Sequence, residues 1–223
     1  MPRLSFRIDE SMAAPLSLAP AIVLKLSIGA QDQYQPIHSI ALRCQIQIEA
    51  GRRRYNAEEQ DRLLDLYGEP SRWSQTLRPM LWTHVSTIVP PFEGKTVTDL
   101  LLPCSFDFNI AATKYFSGLR NGDVPLCLLF SGTVFYEGVD GRLQVEQIPW
   151  DSETSYRLPI AVWQDMMKLH YGNQNWLSLR SDVFDQIYEY KRRNGIPTWE
   201  QAIESLLSLG EPQKRTKVTK TFA

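Results

Sequence analysis

The stretch "IHSIALRCQIQIEAG", residues 37–51, constrains the fold more than any other part of the chain. Ile40, Leu42, Cys44, Ile46 and Ile48 alternate with Arg43, Gln45, Gln47 and Glu49. Successive side chains of a strand point to opposite faces, so a period of two places one apolar face on a core and a polar face in water. A strand wet on one side suits an antiparallel sheet, because parallel strands are covered on both faces. The chain must then supply further strands and a second layer to cover the apolar face.

Those strands can be read from the rest of the chain. "AIVLKLSI" puts Ile22, Leu24, Leu26 and Ile28 on one side. "LWTHVSTIVPPFEG" and "TVTDLLLPC" read as two more strands separated by Pro90–Pro91 and Glu93–Gly94. "SFDFNIAATKYFSGLRNGDV" alternates at Phe106, Phe108, Ile110 and Ala112 as a strand would, while Ala111, Ala112 and Tyr115 would also tolerate a helix; the Asn121–Gly122 turn signal decides for a strand running into it. From Leu126 to Tyr136 both faces are apolar, so a central strand covered on both sides is expected, with Gly132 marking a bulge or a close backbone approach. Asp140–Gly141 then reverses the chain, and Leu143 and Val145 return alongside.

Helices interrupt and follow the strands. In "GRRRYNAEEQDRLLDLYGEPSRW", Asn56 and Glu59 form a capping-box pair, Leu63, Leu64, Leu66 and Tyr67 an apolar side, and Gly68 and Pro70 a stop; a short turn holds Trp73 and Leu77. After Trp150 the period changes. Helices are predicted in "RLPIAVWQDMMKLHYG", in "SDVFDQIYEYKRRNG" with Ser181 as cap, and in "TWEQAIESLLSLG" with Thr198 and Gln201 as a second capping box. The expected class is α+β: an antiparallel β-sandwich-like domain followed by a small C-terminal helical domain. The expected divisions are an irregular segment over 1–19, a β domain over 20–150 with a helical insertion near 57–78, a helical domain over 151–210, and a disordered basic tail over 211–223.

Charge and motifs narrow the function. Lysines and arginines number 24 against 25 acidic residues, so no global field draws the chain to nucleic acid or to an anionic membrane. No apolar run reaches the roughly 20 residues of a membrane helix, and "MPRLSFRIDESM" lacks a signal-peptide core, so membrane insertion is not expected and a cytoplasmic location is. Phosphate-loop, dinucleotide, zinc-protease and serine-hydrolase signatures are absent from the sequence. Cys44, Cys104 and Cys127 are too widely spaced for a zinc knuckle or redox pair and are expected to be buried thiols. His38 with the three cysteines supplies the soft ligands of the β part, and Cys44 could meet His84 across a sheet as a nucleophile–base pair, though so could many other pairs; neither spacing signals a site. No cofactor, metal site or catalytic residue is therefore assigned. Six tryptophans are many for this length, and at least four are expected to pack between sheet and helices.

The remaining candidate is "GRRRY". Arg52, Arg53 and Arg54 lie in a turn between the alternating strand and a capped helix, with Trp73 nearby in sequence. Arginines on a rigid turn beside an exposed tryptophan would suit a partner-binding surface; stacking and solvation of the turn is the competing expectation.

The blocks "IALRCQIQIEAGRRRY", "EEQDRLLDLYGEPSRW", "KYFSGLRNGDVPLCLLFSGTVFY" and "LPIAVWQDMMKLHY" together resemble an uncharacterised bacterial family of unknown function encoded in gene clusters of actinobacterial-type nickel–iron hydrogenases. The resemblance spans residues 20 to 207 and carries no catalytic motif. It implies a setting in hydrogenase maturation, assembly or electron-transfer support. The expected function is a non-catalytic accessory or scaffold protein whose partner is a hydrogenase subunit or maturation factor. The alternatives are a small enzyme or metal-handling protein using cysteine and histidine, and a sheet-based holding chaperone.

Overall fold

The computed structural model describes residues 3–30, 36–104, 110–172, 177 and 179–210, so the predicted basic tail lies outside the described residues. The chain divides into two units, residues 1–174 and 175–223. Among the described residues the first contains eight strands: β1 (Leu4–Ala13), β2 (Ala21–Ala30), β3 (Ile37–Ile48), β4 (Met80–Val89), β5 (Lys95–Pro103), β6 (Asp123–Glu137), β7 (Leu143–Gln147) and β8 (Glu153–Pro159). They form two antiparallel sheets, one ordered β1-β2-β5 and the other β4-β3-β6-β7, with β8 also pairing with β6.

The α+β expectation holds, with a sandwich-like pair of sheets. The apolar faces meet in one core: Ile22, Leu24, Leu26 and Ile28 from β2, Leu100 and Leu102 from β5, and Ile40, Leu42, Cys44, Ile46 and Ile48 from β3 are all buried. Phe6 of β1 stacks on Phe130 of β6 at 4.3 Å, joining the two sheets through their rings. Gly132 of β6 shows why a glycine stands inside this strand. Its φ is +141°, and a Cβ there would lie 2.0 Å from the Ala41 carbonyl oxygen of β3.

Several helices pack within this unit. α1 (Ala57–Arg62), α2 (Leu64–Tyr67) and α3 (Trp73–Thr76) form the predicted insertion, with both halves of the Asn56–Glu59 capping box present. α4 (Ile110–Gly118) occupies much of the segment predicted as a strand before Asn121–Gly122. Ala112, Tyr115 and Phe116 are its buried apolar positions, a helical spacing; Phe106 and Phe108 lie outside the described residues. α5 (Ile160–Tyr171) starts after Pro159 and ends at Gly172, whose φ is +60°. Phe116 of α4 stacks on Trp163 of α5 at 4.4 Å, and Trp82 of β4 packs on both rings.

Three further expectations are corrected. The segment 1–19 is not irregular throughout, because it contains β1. Leu4, Phe6 and Ile8 alternate inward, but a bulge between Ile8 and Glu10 shifts the phase and breaks the pattern. The helical part does not begin at 151. β8 pairs with β6, α5 packs on β1 and β2, and the division falls at 174/175. Finally, β6 is central but not covered on both sides. Leu126, Leu128, Phe130 and Val134 are buried, whereas Cys127, Leu129, Thr133 and Phe135 on the other face are half-exposed.

The second unit contains α6 (Ser181–Arg193) and α7 (Trp199–Gly210), separated by a stop at Gly195 with φ +65°. Phe184 and Tyr188 pack on the Trp199 ring, and the Tyr190 and Ser205 hydroxyls hydrogen-bond at 2.7 Å. Thr198 Oγ1 accepts from the Gln201 N–H, as its capping role requires, whereas Arg180 rather than Ser181 precedes α6 at the N-cap. Of the six tryptophans, Trp73, Trp82 and Trp163 are buried, Trp199 is partly covered, Trp150 is exposed, and Trp176 lies outside the described residues.

Candidate protein-binding surface

The arginine turn divides into a buried and an exposed part. β3 runs into a 3-10 turn at Ala50–Arg52, and the chain then extends through Arg53 to the N-cap Asn56. This geometry carries the Arg53 side chain back under the helix. The side chain is 8% exposed, and its guanidinium donates two hydrogen bonds to Glu59, at 3.1 and 2.9 Å. It also donates to the main-chain carbonyls of Asn121 and Asp123 and lies 5.1 Å from the Tyr55 ring centroid. Burial pushes the Glu59 carboxyl up, but hydrogen bonds from Arg53 and from the Arg120 and Asn56 N–H groups, with the charge of Arg53, outweigh it and hold the group below its ordinary value.

Trp73 is likewise buried. Its Nε1 donates to the Gly68 carbonyl, and its ring meets Tyr55 and Tyr67 edge-on. Arg53 and Trp73 are thus buried away from the predicted partner surface: the Arg53 donors fasten α1 to the start of β6, and the Trp73 Nε1 is held within the insertion by the Gly68 carbonyl. Arg52 and Arg54 remain exposed. Arg52 is paired through Nη1 with Glu49 at 2.9 Å.

The thiols and imidazoles are not gathered into a reactive group. Cys44 faces the core while His84, on the neighbouring strand, faces outward and hydrogen-bonds Gln45 at 3.3 Å, so the sheet separates that pair. Burial pushes the Cys44 thiol up to about 12, with Cys127 adding to it, and burial pushes Cys104 up to about 12 as well. Cys127 departs from the expectation of burial. It lies half-exposed on the outer face, where burial and the charges of Glu153 and Glu49 push its thiol up. Among the described residues no three histidines, cysteines, aspartates or glutamates are placed to hold a metal ion.

What the fold leaves open is the outer face of the larger sheet. At one end, register places Ile88 of β4 beside Ala41 of β3, and Phe135 of β6 beside Val145 of β7. Ile88 is 75% exposed, Leu143 61% and Val145 58%. A shallow depression of about 360 Å³ lies over Ala41, Arg43, Ser86 and Ile88. Large apolar side chains displayed together across several strands mark interaction surfaces more often than isolated ones do. The other end is polar: Gln47, Glu49, Cys127, Glu153, Ser155 and Arg157 share that face. There a cleft of about 170 Å³ is lined by Glu49, Arg52, Pro125, Leu126, Ser155, Tyr156 and Arg157. Neither Arg157 nor the open end of β7 had a local motif by which to be found, since both depend on which strands flank β6.

These features define a β-rich α+β protein with an open, two-character sheet face. The chain belongs to a family of unknown function, DUF6084, whose model matches residues 1–215. No curated protein and no solved structure matches the chain significantly. Among the described residues no helix is long and apolar enough to cross a membrane.

Proposed function

We propose that this is a non-catalytic accessory protein that acts in the cytoplasm by binding a protein partner, either a subunit of a nickel–iron hydrogenase or one of its maturation factors. The observation that carries the reading is the open apolar end of the larger sheet, with Ile88, Leu143 and Val145 displayed on one face. Such a surface costs solubility unless a partner covers it, and a rigid sheet offers it with little ordering on association. The hydrogenase setting rests on the sequence blocks quoted above. The raised thiols of Cys44 and Cys104 favour binding over nucleophilic chemistry, because a neutral buried thiol is a poor nucleophile.

The test is co-expression of the tagged chain with each hydrogenase structural subunit and each maturation factor of its host, followed by co-purification. One of them is expected to be retained by the wild type and lost with Val145→Asp combined with Ile88→Asp, the variant keeping its circular dichroism spectrum. Retention of the same partner by the double variant, or full hydrogenase activity in a strain lacking the gene, overturns the proposal.

A further inference from the structure

We propose that the polar cleft at the other end of this face is a carboxylate-binding site, and that its ligand is an acidic side chain on an exposed segment of the partner. This deepens the binding reading above and rests on it for the partner, though not for the chemistry of the cleft. Arg52 and Arg157, more than a hundred positions apart in sequence, line the same cleft. Arg52 arrives there because β3 ends in a tight turn at Ala50–Arg52, and Arg157 because β8 pairs with β6 so that Arg157 stands opposite Pro125.

The two arginines are not equivalent. Arg52 is 67% exposed, and one of its terminal nitrogens, Nη1, is held by a Glu49 carboxylate that is itself only 11% exposed. Glu49 acts as a positioning group, leaving other N–H donors of Arg52 for a ligand. Arg157 is exposed and has no ionic partner among the described residues. Ser155, two residues before it on the same face, adds an exposed hydroxyl. Pro125 has no N–H and contributes an apolar floor, while its carbonyl accepts from Glu49 N–H at 2.9 Å and ties the two sides of the cleft together.

Charge decides the ligand class. Two guanidinium groups and one carboxylate leave the cleft with one net positive charge, which complements a monoanion. A carboxylate carries one negative charge and meets arginine N–H pairs side by side. A phosphate monoester carries about 1.5 to 2 negative charges at neutral pH and would face Glu49 unneutralised. The volume of about 170 Å³ admits a single acidic side chain. An extended acidic segment would place further carboxylates along the rim, where exposed Arg54 lies two residues from Arg52 in the chain.

The experiment uses the full chain and no hydrogenase component. Backbone amide NMR is followed during titration with C-terminally amidated hexaglutamate, with hexaglutamine, and with inorganic phosphate. Hexaglutamate is expected to shift the amides of Arg52, Ser155 and Arg157, hexaglutamine to leave them unmoved, and phosphate to bind at least tenfold more weakly. Arg157→Gln, a change at an exposed position, should weaken hexaglutamate binding about tenfold with its spectrum otherwise intact. Glu49→Gln should narrow the gap between phosphate and hexaglutamate, since it adds one net positive charge. Hexaglutamate shifts that lie elsewhere, or that persist unchanged in Arg157→Gln, overturn the site. Phosphate binding as tight as hexaglutamate overturns the assignment to carboxylates. If the cleft binds hexaglutamate while no hydrogenase component co-purifies, the partner falls and the site stands. Co-purification that survives Arg157→Gln, without hexaglutamate shifts, means the reverse.

Discussion

Replacing Arg53 with alanine tests whether the arginine turn is a structural fastening rather than a partner surface. The substitution removes two hydrogen bonds to Glu59, at 3.1 and 2.9 Å, and two to main-chain carbonyls at Asn121 and Asp123. It also strands a carboxylate that is 2% exposed. Removing one member of a buried ion pair costs about 3–5 kcal/mol, because the remaining charge stays desolvated. For a unit of this size each kcal/mol moves Tm by about 2–4 °C, so a fall of roughly 6–20 °C is expected. Thermal unfolding followed by circular dichroism measures the fall in Tm, and urea denaturation followed by the fluorescence of the buried Trp82 and Trp163 measures the free-energy loss. Replacing both partners, Arg53→Met with Glu59→Leu, should cost less than the sum of the single losses, since no buried charge is then left alone. A loss below about 1 kcal/mol for Arg53→Ala would refute the reasoning, because that is the size of an exposed pair.

Three other outcomes follow from the same geometry. Gly132→Ala should destabilise the protein by about 3 kcal/mol or more, through its φ of +141° and the collision with the Ala41 carbonyl; a denaturation midpoint like that of the wild type would contradict this. A thiol reagent on native protein at pH 7.5 should modify Cys127 slowly and Cys44 and Cys104 hardly at all, with all three reacting in denaturant; mass spectrometry of the labelled peptides reads the order. Because the Glu59 carboxyl is held below its ordinary value of 4.5, its stabilisation is present above that value and is lost as pH falls through the lower folded value. Stability curves of wild type and Glu59→Gln should therefore converge on acidification, and parallel curves down to pH 2 would exclude Glu59 as the titrating group.

Much of this fold was legible because it is written in local patterns. The alternations of β2 and β3, the Asn56–Glu59 box and the glycine stop at Gly172 each involve residues a few positions apart. The elements that were missed, or read as another type, have a broken or borrowed pattern. β1 loses its phase at the bulge after Ile8, and α4 takes its apolar spacing from the aromatic cluster around Phe116 and Trp163. β8 is short, five of its seven residues are polar or proline, and it becomes a strand through pairing with β6. The burial of Arg53 was not legible for a related reason. Three arginines in a row look alike in sequence, but Arg53 meets carbonyls about 70 positions away, whereas Arg52 turns outward. Arg157 becomes a candidate only once β8 is known to flank β6.

The position of β6 also has a consequence for synthesis. One of its edges pairs with β3, made some eighty residues earlier, and its other edge takes both β7 and β8, made afterwards. As the chain leaves the ribosome, β3 can pair only with β4 until β6 emerges, and β6 then waits with an open edge until Pro159 has followed it out. Long-range pairing of this kind is slow, and unpaired strand edges are sticky while they wait. Released fragments ending between about residues 137 and 159 would thus be the ones most in need of a holding chaperone, and they should be recovered as aggregates rather than as smaller folded domains.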